Sequence, residues 1–328
     1  MAERANQKLK ILKIKEILEQ ETDEFHKITT KEIIKALEKD GIIAERKSVY
    51  SDVKTLEDFG MDIIEERKDR TYYYNLNSRE FELTELKLMV DAIGAARFIT
   101  AKKSKQLIEK IKKLTSTQQG DQLDRQVFAN DRVKSDNEKF IYSVDTIHTA
   151  LINETKITFE YFRYDEHKKK VKAHDGQRYV VSPWAMVWNE EKYYLVGFDE
   201  GDSKMKHFRV DKMLDVQSLE EPRVGKEQFK AVDMKGYTDR HFGMFGGEKK
   251  LVQLECENGM ANVIFDRFGT GIKSLKLDDN HFSTSVNVDV SDNFLGWIIG
   301  IGGVKVVGPE DVVVRMKELL KKHQDLYR

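Results

Sequence analysis

Some residue types are scarce in this 328-residue chain, and their scarcity excludes several classes of protein. It has one cysteine, Cys256, which excludes a disulfide framework and a multi-cysteine zinc site. Because Cys256 stands in an apolar β pattern, we expect a buried structural thiol. Among only three prolines, Pro222 lies where periodic β structure stops and indicates a linker. The 56 basic residues nearly balance the 57 acidic ones, so any nucleic-acid contact must come from a local patch.

Long hydrophobic runs are also missing. No segment approaches the ~18 consecutive apolar residues that a membrane span needs. The N-terminus lacks the apolar stretch of a secretory signal. We therefore expect a soluble, cytoplasmic protein with no membrane partner.

Periodicity divides the chain into four zones, which predicts a multidomain α+β protein. Residues 1–78 have the pattern of three helices and a hairpin, and residues 79–152 that of further helices. Residues 153–222 are strand-rich, and residues 230–328 alternate strands with helices.

The first zone predicts a winged helix-turn-helix. Thr29 and Glu32 form a capping-box pattern at the start of the second helix, and Gly41 suits its end. In the third helix Val49, Val53 and Leu56 predict the inward face. Two strands follow, joined by a charged tip. The predicted DNA contacts are the outward polar and basic residues of the third helix and of the tip: Arg46, Lys47, Ser48, Tyr50, Ser51, Lys54, Arg67, Lys68 and Arg70.

The sequence Lys-Ser-Val-Tyr-Ser-Asp-Val-Lys-Thr-Leu at residues 47–56 is similar to the recognition helix of DeoR-like winged-helix proteins. That family often has Arg before the Asp, where this chain has Ser51. Glu45 also stands where Ser or Thr commonly caps the helix. The alternative is a small helical domain with a solvated charged face. The helices of residues 79–152 fit three roles, namely spacing, dimerisation or core packing.

The third zone resembles the WYL domain. The resemblance lies in Tyr-Tyr-Leu-Val-Gly at residues 193–197, His-Phe-Arg-Val-Asp-Lys at 207–212 and Val-Ser-Pro at 181–183. It implies an Sm-like or SH3-like β-barrel behind a winged helix in a bacterial transcription regulator. Five short strands within this zone suit a small closed barrel.

The resemblance also implies ligand sensing, with a nucleotide or single-stranded nucleic acid as effector. Aromatic rings stack on bases, and arginine grips phosphates. The residues implied are Tyr161, Arg178, Ser182, Tyr194, Lys206, Arg209 and Lys212. Lysine at 206 and 212 departs from the family's arginine, and Tyr193 replaces its tryptophan. Strand parity places Tyr194 opposite to Tyr193, and we favour Tyr194 and Arg209 as ligand-facing. The alternative is that Tyr161 and Tyr193 are core and that Arg209 pairs with Asp211 or Glu160.

The fourth zone predicts an α/β sandwich and resembles the extension that often follows a WYL domain. Its glycine-rich segments at 269–274 and 300–303 match neither a Walker A loop nor a dinucleotide fingerprint. No metalloprotease, serine-hydrolase or Cys-His motif is present. We therefore expect no enzyme activity, no cofactor and no metal.

These patterns favour a DNA-binding, ligand-responsive transcription regulator that binds an inverted-repeat operator as a homodimer. A second hypothesis is a nucleic-acid-binding accessory factor of a defence or DNA-repair system. The third is an unrecognised enzyme whose residues meet only in the folded chain.

Overall fold

The structure is a computed structural model that describes residues 2–124, 134–232, 234, 237–244 and 246–328. The chain forms two compact units, residues 1–138 and 139–328. The division falls inside the predicted helical zone 79–152, so that zone contributes helices to both units. The finer division into four domains stays a prediction.

The first unit combines helices with a small sheet. Its elements are α1 (Ala2–Glu21), β1 (Ile28–Thr29), α2 (Thr30–Lys39), α3 (Arg46–Asp58), β2 (Ile63–Lys68), β3 (Thr71–Leu76), α4 (Leu83–Ala95), α5 (Ala101–Lys112) and α6 (Thr117–Leu123). Helix α2 begins as predicted. The Thr29 hydroxyl accepts from the backbone N–H of Glu32 at 3.3 Å, and the Glu32 carboxylate accepts from that of Thr29 at 2.8 Å. Gly41 follows the helix with φ of 72°, a left-handed conformation that glycine adopts without strain.

Helix α3 places its apolar stripe in the core of this unit. Val49, Val53 and Leu56 are buried beside Ile14 and Leu18 of α1, which confirms the predicted inward face. Glu45 at the start of α3 makes no side-chain cap.

Strands β2 and β3 form the predicted hairpin, and β1 adds to it in the order β1-β3-β2. The strand β1 was not predicted, because two residues are too few to show periodicity. At the hairpin tip Asp69 and Arg70 both have positive φ, 48° and 63°. Lys68 pairs with Thr71 and therefore belongs to the strand rather than to the tip.

The second unit contains a curled sheet and a smaller α/β layer. Its elements are α7 (Phe140–Ile152), β4 (Thr155–Tyr164), β5 (Lys170–Lys172), β6 (Tyr179–Asn189), β7 (Lys192–Asp199), β8 (Lys204–Arg209), β9 (Met213–Pro222), α8 (Lys226–Lys230), α9 (Tyr237–Arg240), β10 (Glu248–Glu257), α10 (Ala261–Phe268), β11 (Ser274–Lys276), β12 (His281–Val290), α11 (Asp292–Ile301), β13 (Val304–Gly308) and α12 (Glu310–Asp325).

The curled sheet is a half-barrel rather than the closed barrel that the sequence predicted. Its order is β5-β4-β6-β7-β8, with β9 also paired to β4. Strand β8 ends at a 3-10 turn, Val210–Lys212, after which β9 runs antiparallel to β4. In the stretch 139–232, all of it described, no ladder joins β8 to β9, so the sheet stays open.

The smaller layer has the order β11-β12-β10-β13, which is the arrangement of a β-α-β-β-α-β unit. Helices α10, α11 and α12 contribute Ile264, Phe294 and Met316 to its core. The short strand β11 was not predicted. Pro309 is the N-cap residue of α12.

Cys256 lies in β10 and is fully buried, as predicted, and burial raises the pKa of its thiol to about 11. Among the described residues, no helix combines the length and the apolar character that crossing a bilayer requires.

Candidate functional site

The outer face of α3 carries the predicted cations of the first unit. Arg46, Lys47, Ser51 and Lys54 are all exposed. Within the described residues, Arg46 and Lys47 form no ion pair, so their charges are available to a ligand. Lys54 is paired with Glu57 at 2.8 Å, and this hydrogen bond raises the pKa of Lys54.

Ser48 does not share this outer face. Its hydroxyl accepts a hydrogen bond from the ammonium group of Lys10 in α1, and the same ammonium lies 2.9 Å from Asp52. Ser48 therefore faces α1. The sequence could not reveal this contact, because Lys10 is 38 positions away.

The hairpin cations lie on two faces. Arg67 pairs with Tyr72 across the strands, and its guanidinium carbon is 5.5 Å from the centre of the Tyr72 ring. That ring is 4.9 Å from the ring of Tyr50 on α3. Lys68 is on the opposite face, since successive side chains alternate along a strand. The structure thus brings Arg67 and Tyr50 next to one ring, that of Tyr72.

In the second unit, Tyr194 of β7 pairs directly with Arg209 of β8. Tyr194 is 5% exposed and packs with Val187 and Val196, and burial raises the pKa of its phenol. The strand register places Tyr193 and Leu195 on the other face, as predicted.

Arg209 is held by its own neighbours. Its Nε and Nη2 donate to the two carboxylate oxygens of Asp211 at 3.0 and 2.7 Å. Its backbone N–H donates to the Tyr161 hydroxyl at 3.1 Å. Burial raises the pKa of Tyr161 to about 12, and its ring packs 6.0 Å from Phe208. Pairing with Asp211 is the arrangement considered above as the alternative to ligand contact.

The remaining predicted ligand residues are dispersed, and each has a partner of its own. Lys206 pairs with Asp199 at 2.6 Å, Arg178 pairs with Asp215 at 2.8 Å, the Ser182 hydroxyl accepts from the Val224 N–H at 2.9 Å, and Lys212 lies 4.1 Å from the centre of the Tyr164 ring. Tyr161, Tyr194 and Arg209 are thus the members that the fold brings together. Whether any of them binds a ligand stays a prediction.

A buried polar network near this site was not predicted. His207 of β8 hydrogen-bonds through Nε2 to the Tyr237 hydroxyl. His241 Nδ1 bonds to the Tyr237 carbonyl at 2.8 Å. The same nitrogen is 3.2 Å from a carboxylate oxygen of Asp289 on β12, without the alignment of a hydrogen bond. Burial, followed by the neighbouring His241, lowers the pKa of His207 to about 4. His207 is 30 positions from Tyr237, and Asp289 is further along the chain still, so no local pattern marks the network.

Among the described residues, no cluster of three or more histidine, cysteine or carboxylate side chains is arranged to hold a metal ion.

The half-barrel, preceded by α7, is the part of the chain that a known family matches. The WYL domain matches residues 143–218, from within α7 to within β9. Residues 143–218 therefore form a WYL domain. The sequence predicted this domain with the bounds 153–222.

Two solved structures are similar to the chain at low identity. One is proteasome accessory factor B/C (PafBC) of Arthrobacter aurescens, with 14% identity and a TM-score of 0.27, covering 88% of this chain and 44% of that one. The other is a CRISPR Cas-related protein, with 13% identity and a TM-score of 0.35, covering 67% of this chain and 60% of that one. This chain thus spans less than two thirds of either. No curated protein matches it in sequence.

Proposed function

We propose that the chain is a sequence-specific DNA-binding transcription regulator whose WYL domain senses a nucleotide or single-stranded nucleic acid. The observation that carries the DNA-binding part is the pair of exposed cations on the first turn of α3, Arg46 and Lys47, which form no ion pair with any residue that the structure describes. Three helices and the β2–β3 hairpin occur in the order of a winged helix-turn-helix. In that arrangement α3 enters the major groove, and the hairpin contacts the backbone.

The WYL match and the strand order of the half-barrel support an Sm-like or SH3-like sensor. In our proposal Arg209 binds the phosphate of the effector, because its planar guanidinium can donate hydrogen bonds to two oxygens at once. In the free protein the Asp211 carboxylate accepts both of these hydrogen bonds. An anionic effector must therefore displace the Asp211 carboxylate, and effector binding would release Asp211 from its partner.

Duplex binding is tested by fluorescence anisotropy on a sequence selected from random DNA, across a range of salt concentrations. Each phosphate contact contributes about 0.9 to the slope of log K against log salt. Arg46→Ala and Lys47→Ala should each lower the slope by about that amount if the residue contacts a phosphate. Lys317→Ala, an exposed lysine on α12, is the matched control. Slopes that stay at the wild-type value in both variants would show that the first turn of α3 contacts no phosphate.

The same selection separates the two nucleic-acid hypotheses. A regulator should enrich one motif. An accessory factor of a defence or repair system should bind DNA with the same salt dependence and enrich none.

Effector binding is tested by titrating labelled single-stranded DNA, RNA and cyclic nucleotides. Arg209→Ala should weaken binding of the effector by about 1–3 kcal/mol, the usual range for a charged hydrogen-bonded contact. Lys204→Ala, an exposed cation at the start of β8, should leave it unchanged. Equal binding by wild type and a folded Arg209→Ala protein would show that Arg209 is not the site.

A further inference from the structure

Three tyrosines connect the recognition helix to the wing. Tyr50 on α3 meets Tyr72 on β3 edge-to-face at 4.9 Å between ring centres. Tyr72 stacks in turn with Tyr74 of the same strand at 6.3 Å, with the planes 14° apart. Tyr74 is fully buried in the core of the unit. The row of rings therefore extends from fixed core to the outer surface.

Tyr72 also contacts Arg67, a cation on β2 of the hairpin. Arg67 is its direct cross-strand partner, so both side chains lie on one face of the hairpin. The guanidinium is 5.5 Å from the ring centre, within the range of a cation–π contact. Tyr72 is thus the shared neighbour of Tyr50, for which we predict base contact, and of Arg67, for which we predict phosphate contact.

We propose that Tyr72 is a positioning residue that couples base contact by Tyr50 to backbone contact by Arg67 on duplex DNA. This inference rests on the proposed DNA-binding function. Tyr72 does not itself reach the DNA. Its ring restricts the rotamers of both neighbours, so the two contacts are made together or lost together.

The coupling has a measurable consequence. If Tyr72 only stabilised the fold, replacing it would lower thermal stability and leave the salt slope of DNA binding unchanged. If it positions Arg67, its removal should reduce the slope as the loss of a phosphate contact does, by about 0.9. Replacing Tyr72 and Arg67 together should then cost no more than replacing either one.

The experiment measures anisotropy against salt for the full chain with the selected duplex. Tyr72→Leu and Arg67→Ala should each lower the slope by about 0.9 and affinity roughly tenfold. The double variant should match the single ones, and Tyr72→Phe, which keeps the ring, should match wild type. Tyr73→Leu, on the same strand but facing away, is the control. Non-additivity of Tyr50→Leu and Arg67→Ala tests the coupling without changing Tyr72, should Tyr72→Leu fail to fold.

An unchanged slope in folded Tyr72→Leu, or losses for Tyr50→Leu and Arg67→Ala that simply multiply, would overturn this inference alone. A wild-type protein that binds no duplex would instead overturn the proposed function, and this inference with it.

Discussion

At the scale of single residues, the tip of the β2–β3 hairpin is strained. Asp69 and Arg70 adopt left-handed φ values that two-residue hairpin turns require and that Asn and Gly usually supply. For a residue with a Cβ such as Arg, this conformation costs roughly 1–2 kcal/mol. Because Arg70 adopts this strained conformation, we expect it to have a role in ligand contact.

Arg70→Gly should therefore stabilise the protein by roughly 1 kcal/mol and weaken duplex binding at the same time. Urea unfolding followed by circular dichroism gives the stability, and anisotropy gives the affinity. Asp69→Gly relieves strain in the same turn but keeps the cation, so it should not weaken binding. If Arg70→Gly binds DNA as tightly as wild type, the tip does not contact it.

Contacts between residues close in sequence could be predicted, and contacts between distant residues could not. The capping box of Thr29 and Glu32 spans three positions, and local rules predicted it correctly. The pairing of Arg209 with Asp211 spans two positions and was among the alternatives. The contact of Lys10 with Ser48 depends on how α1 packs against α3, which no local pattern encodes.

At the scale of elements, the buried network between β8 and β12 should make the stability of the fold depend on pH. The folded-state pKa of His207 is about 4, below its ordinary 6.5, so the unfolded chain binds the proton more tightly. Stability from this group is fully present above about pH 6.5 and is lost as pH falls towards 4. At 1.36 kcal/mol per pKa unit, the loss is about 3 kcal/mol.

His207→Gln should flatten the fall in stability between about pH 6.5 and 4 relative to wild type. All three tryptophans, Trp184, Trp188 and Trp297, lie in the second unit, so their fluorescence during urea unfolding reports on that unit alone. His323→Gln, an exposed histidine on α12, should keep the wild-type pH dependence. A variant at 207 with an unaltered pH profile would show that His207 is not the titrating group.

Elements with a long periodic pattern were predicted well, and short ones were not. The inward stripe of α3 follows from spacing alone. The strands β1 and β11 have two and three residues, and they are strands because a neighbour pairs with them. The opening of the half-barrel follows from the 3-10 turn Val210–Lys212, which interrupts a segment with a continuous β pattern.

At the scale of the whole molecule, one winged helix contacts too few base pairs for specificity in a genome. A dimer doubles the site, and two-fold symmetry of the protein then requires an inverted repeat whose half-sites lie about one helical turn apart, or a multiple of it. We therefore expect the full chain to be a homodimer that binds such a repeat.

Sedimentation velocity at micromolar concentration should show a dimer, and the motif enriched from random DNA should be an inverted repeat. Moving the half-sites apart by half a helical turn, about 5 base pairs, should abolish high-affinity binding, because the second winged helix then faces the wrong side of the duplex. Adding a full turn, about 10 base pairs, is the control for length, since it restores the facing. A monomer that binds the operator with full affinity, or equal binding at all spacings, would contradict the dimer.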